Sequence, residues 1–268
     1  MMLLYIFIIC LVILLIVRFL YLGRNRDHFN VAVTNFGNKN HDPLIIQRGK
    51  ECLIIVTDPV GATRTGESAC LIAKEVITNA FETSIAKLSP HEFLKKACFL
   101  AHRGISEQMN ANSGGCSIAL VYIDEKQLSF ASVGDIKIFV CDGELQQLNQ
   151  LDLYKYQLRT RVLERKISEE HLLNNRLRNE LTAYLGHENL RKVNLNDQGI
   201  ELEKRDKLLI ATRDIYDVLM PLEIESIMLG EKKPIRHIEV LEGAYALQRQ
   251  VVEKKSSTAS AVVVSCFK

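Results

Sequence analysis

Lys and Arg (34) outnumber Asp and Glu (32) by only two in this chain of 268 residues. It lacks the strong positive field that gathers nucleic acid, so that class of partner is set aside. No CxxC pair and no Cys/His group with zinc spacing is present, which argues against a structural zinc site. The seven cysteines, Cys10, Cys52, Cys70, Cys98, Cys116, Cys141 and Cys266, are odd in number and scattered among apolar neighbours. That usage suits reduced, buried thiols rather than a disulfide framework. Gly61 and Gly66 stand five apart but lack the Lys-Ser/Thr of a P-loop, which disfavours nucleotide binding. No repeat, low-complexity tract or linker divides residues 29–268.

Charge is also missing from the start of the chain, where only Arg18 among the first 22 residues is charged. The apolar run over residues 2–22 predicts one transmembrane helix, with Arg18 near enough to one end to reach the headgroups. A cleaved signal peptide fits less well, because a basic n-region and a small-x-small site are both absent. Arg18, Arg24 and Arg26 lie on the C-terminal side, so the positive-inside rule puts the remainder in the cytoplasm. The expected division is an anchor with its basic flank over residues 1–27 and a soluble domain over residues 28–268.

That domain alternates β-branched runs with turn residues. Val31–Val33, Cys52–Thr57, Ser117–Ile123, Leu128–Val133, Ile136–Cys141, Gly199–Leu202, Lys207–Ala211 and Ala261–Val264 read as strands. Asp124-Glu125-Lys126, Gly134-Asp135 and Asp142-Gly143 read as the turns of hairpins. Gly66–Leu88 and Pro90–Asn110 carry apolar residues at helical spacing, and Tyr154–Leu185 is a polar, charge-rich helical region. Together these predict one domain of largely antiparallel sheets with two long helices covering a face.

Several short pieces follow one another in a telling order. They are Asn40-His41-Asp42, Thr57-Asp58-Pro59-Val60-Gly61, Gly115-Cys116-Ser117, Gly134-Asp135, Ala211-Thr212-Arg213-Asp214 and Thr258-Ala259 before a last strand. Over about residues 29–268 this order resembles the metal-dependent Ser/Thr protein phosphatases of the protein phosphatase 2C (PPM) family. The resemblance implies an α+β fold, a four-layer α-β-β-α sandwich with a cleft at one end. There the family holds two divalent cations, usually manganese or magnesium, for direct attack of water on phosphorus.

The resemblance places the family's metal-binding acids residue by residue. Asp42 and Asp58 keep their carboxylates, whereas His41, Arg213 and Thr258 stand where the family has acids. Asp42 and Asp58 with Arg213 sum to about −1, so two divalent ions would leave roughly +3 uncompensated in the cleft. A salt bridge of Arg213 with Asp58 and Asp42 is therefore expected in place of metal, with no cofactor and no catalytic residue. Asp214 is one residue out of step, which reverses its side chain if the strand continues. Gly134-Asp135 matches a family turn whose Asp can help hold a third cation, but a hairpin turn alone explains it and is the preferred reading. The expectation is a membrane-anchored pseudophosphatase, not an enzyme, that binds a protein partner such as a kinase, a phosphoprotein or a membrane assembly. Two alternatives stand beside it: a divergent active metal-dependent phosphoprotein phosphatase using manganese or magnesium, and a structural subunit of a membrane complex.

Overall fold

The computed structural model describes residues 29–36, 42–84, 88–109, 114–196, 198–203, 205–230, 247 and 259–266. The membrane helix expected over residues 2–22 lies outside them, and among the described residues no helix is long and apolar enough to cross a membrane.

Two antiparallel sheets are packed face to face. The first runs β1 (Phe29–Phe36), β11 (Ala259–Cys266), β10 (Lys207–Ala211), β6 (Lys137–Cys141), β7 (Leu145–Gln147). The second runs β2 (Leu44–Arg48), β3 (Glu51–Gly61), β4 (Gly114–Asp124), β5 (Gln127–Val133), β8 (Asn194–Leu195), with β9 (Ile200–Glu201) also paired to β5. Alternation decides which residue meets which layer. On β3, Cys52, Ile54 and Val56 face the opposite sheet, whereas Leu53 and Ile55 face helices. Both faces of β3 and β4 are covered, which is why these strands read as unbroken apolar runs.

Helices α1 (Thr63–Ser84) and α2 (Pro90–Gln108) form the layer over the second sheet. Ala69, Cys70, Ala73, Ile77, Ala80 and Phe81 recur at three- and four-residue steps and give α1 its buried stripe. Ser89 starts α2 through a capping box with Glu92, and Pro90 sits in the first turn, where no amide hydrogen is required. Over the first sheet lie α5 (Arg213–Tyr216) and α6 (Pro221–Leu229), which bury Ile215, Ile224 and Met228 against Leu209 and Val263. The polar region resolves into α3 (Tyr154–Leu163) and α4 (Glu169–Asn174), followed by turns rather than further helix.

The layered α+β sandwich agrees with the sequence reading, but one connection differs. Gly134-Asp135 does not turn a hairpin, because β5 belongs to the second sheet and β6 to the first. The chain crosses between sheets there. That crossing carries Asp135 to the end of the sandwich where β3 and β10 also finish.

Candidate active site

Three strand ends converge on a small group of carboxylates. Asp58, half-buried near the end of β3, is paired in the ladder with Ser117 of β4, so the two side chains share one face. Ser117 Oγ donates to Asp135 Oδ1 at 2.8 Å, and Asp135 is buried at 4 % exposure. Gly134 makes this approach possible. Its φ is +102°, and a Cβ there would stand 2.2 Å from Ser117 Oγ. The Gly134 amide donates to Asp152 Oδ2 at 2.8 Å, and Tyr216 Oη donates to the Asp135 carbonyl at 2.5 Å, fixing the crossing from two sides.

The third contributor comes from β10. That strand stops at Ala211, Thr212 takes the N-cap position, and helix α5 begins at Arg213. The strand parity that would have turned Asp214 away therefore does not apply, and its charge acts on Asp58. Burial first, then Asp135 and Asp214, push the Asp58 carboxyl up to about 8, with Arg213 opposing. Burial likewise raises Asp135 above the ordinary carboxylate range, against the Ser117 hydrogen bond and Arg213.

Arg213 does not form the expected bridge. Its Nη1 is 3.6 Å from Asp135 Oδ2, its Nε donates to Asp217 Oδ2 at 2.9 Å, and its Nη1 donates to the Asn179 carbonyl at 3.1 Å. Toward Asp58 it acts only as a charge at longer range. Asp42 is exposed, and Lys74 Nζ donates to its backbone carbonyl at 2.6 Å. His41 and Thr258 lie outside the described residues. The sequence names Asp58 and Arg213 and sets Asp135 and Asp214 aside, the first as a hairpin turn and the second on strand parity. The signal for Asp214 was available in Thr212-Arg213-Asp214, because Thr is a helix-starting residue that ends strand alternation.

The donor set can be weighed against a metal. Among the described residues no group of three or more His, Cys, Asp and Glu side chains is placed to hold a metal ion. The charges nevertheless suit one hard cation. Asp58, Asp135 and Asp214 with Arg213 sum to about −2, which a single divalent ion balances and two would overshoot by about +2. Relief of the mutual repulsion that raises Asp58 is what such an ion would contribute.

The architecture is the fold of the metal-dependent Ser/Thr protein phosphatases. The comparisons agree. The Ser/Thr phosphatase stp of Listeria monocytogenes is 25 % identical over 218 residues, covering 78 % of this chain and 81 % of that one. Its Listeria innocua counterpart is 24 % identical over the same coverage. Among solved structures, the Streptococcus agalactiae (S. agalactiae) Ser/Thr phosphatase superposes with a TM-score of 0.75 at 19 % identity, covering 89 % of this chain and 99 % of that chain. The catalytic domain of PstP in complex with two manganese ions gives 0.66 at 18 % identity, covering 90 % and 99 %. No family model matches the chain. The expectation of a chain that is not an enzyme is overturned by these likenesses, since the proteins concerned are Ser/Thr phosphatases. The charge sum behind it omitted Asp135 and Asp214.

Proposed function

We propose that the domain is a divergent, divalent-cation-dependent phosphoprotein phosphatase working with one cation and Arg213. The observation that carries this reading is the mutual repulsion felt by the Asp58 carboxyl from Asp135 and Asp214, with the Arg213 guanidinium 3.6 Å from Asp135. Asp58, Asp135 and Asp214 would have to draw together to hold the ion. When bound, a manganese or magnesium ion there supplies Lewis acidity toward a phosphoryl oxygen.

The chain's own groups do the rest. Arg213, anchored by Asp217 and the Asn179 carbonyl, offers fixed positive charge for binding and orienting a phosphate monoester. It stands where the resembling family has a further acid, and so replaces an ion-binding group by a phosphate-binding one. Ser117 fixes the Asp135 carboxylate and Tyr216 its backbone carbonyl, so that Asp135 keeps its place beside Arg213. The apolar run over residues 2–22 supports placing this activity at a membrane surface, with the domain on the cytoplasmic side.

Hydrolysis of an aryl phosphate and of a phosphoserine peptide by the full chain tests the proposal. Turnover that needs manganese or magnesium and is lost in Asp58→Ala is the expected result. No turnover with either ion, from folded protein, would overturn it and leave a binding role.

A further inference from the structure

On the far face of the second sheet from the carboxylates, two thiols meet. Gly66 lets the start of α1 press onto the end of β3, for an added Cβ would fall 2.7 Å from Pro59 Cβ. One turn further along the same face of α1 comes Cys70, and the ladder partner of Pro59 is Cys116. Cys70 Sγ consequently donates to Cys116 Sγ at 3.3 Å, and both residues are wholly buried. No other thiol–thiol contact occurs among the described residues, where Cys52, Cys98 and Cys141 are also free.

We propose that Cys70 and Cys116 are a modification site, a dithiol that a small peroxide closes to a disulfide. The sulfurs need to approach by about 1.3 Å to reach bonding distance. In the first step one sulfur attacks a peroxide oxygen and the O–O bond breaks, giving a sulfenic acid and water. In the second, the other sulfur displaces the sulfenic oxygen, which leaves as water as the S–S bond forms. The two thiols lose two electrons, the peroxide gains them, and both thiol protons end in the two waters. Burial pushes the Cys116 thiol well above its ordinary value, with the Lys74 charge opposing, and admits to the pair only a small neutral oxidant rather than bulky disulfides. The bond would tie α1 to β4 one residue from Ser117, the hydroxyl that holds Asp135. The sequence reading of reduced, buried thiols describes the resting state of this pair.

The test does not depend on phosphatase activity. The full chain is treated with hydrogen peroxide, its remaining thiols are blocked with N-ethylmaleimide in denaturant, and it is digested without reductant for mass spectrometry. The expected result is loss of two of the seven thiols and a peptide pair joining Cys70 to Cys116, lighter by two hydrogens than its parts and separated by dithiothreitol. Cys70→Ser abolishes the pair. Cys70→Ala, with folding checked by circular dichroism, gives the same answer should a buried hydroxyl unfold the chain. Absence of the linked pair at a peroxide dose that fully oxidises free cysteine in solution, or Cys116 linked to a different cysteine, would overturn the proposal.

Discussion

Asp58→Asn should make the metal-free protein more stable while destroying its ability to bind a cation. In the fold the Asp58 carboxyl is raised from 3.8 to about 8 by burial and by the charges of Asp135 and Asp214. The folded state therefore prefers the protonated acid, and the sign follows. The stability associated with this group is intact below the unfolded value near 3.8, falls as pH rises toward 8, and is fully lost above 8. The gap corresponds to a ceiling of about 6 kcal/mol. Asp58 is only half-buried, so solvent screening reduces the expected share to about 2 kcal/mol, or about 4–8 °C in melting temperature for a domain of this size. Thermal melts in EDTA between pH 5 and pH 9 read it directly. The asparagine variant should melt higher at pH 9, with the difference shrinking as pH falls. Manganese should then reverse the order by stabilising the native chain alone. A variant that melts lower at pH 9, or by a pH-independent amount, would refute the claim that uncompensated carboxylates meet at Asp58.

Other outcomes follow from the same geometry. Arg213→Ala should lower turnover of an aryl phosphate about 10- to 100-fold, and Arg213→Lys should restore only part of it, because a point charge does not reproduce the guanidinium fork; steady-state kinetics decide. Ser117→Ala removes the hydroxyl donor to buried Asp135 and should cost about 1–3 kcal/mol in urea unfolding. Gly134→Ala meets both a φ of +102° and a contact of 2.2 Å with Ser117 Oγ, so a loss of about 2 kcal/mol or more is expected, with turnover falling as Asp135 is displaced.

Much of the fold was legible in the residues, and the reason is alternation. Lys207–Ala211 was read with its observed bounds, and the long strands β3 and β4 were evident because residues facing both layers are apolar. The short elements were not. β2, β7 and β8 owe their strand geometry to neighbouring edges rather than to their own pattern, and α5 is a single turn. The site suffered from the same locality. Asp58 stands out at a strand end, but Asp135 joins it only because the chain changes sheets at Gly134, and a glycine-aspartate step looks the same whether it turns a hairpin or crosses a sandwich. Asp214 was discounted on a strand parity that ends two residues earlier, at Thr212. Arg213 stands out in the sequence as an intruding charge, but its ion-pair partners are Asp135 and Asp217; the latter lies four residues on, a pairing available only once α5 is known to be helical.

The number of manganese ions held per chain at saturation bears most directly on the central claim of a site whose charge matches a single cation. Equilibrium dialysis or calorimetric titration of the full chain should give one equivalent, absent from Asp58→Ala. Two tightly held equivalents, or no saturable binding by folded protein, would contradict it.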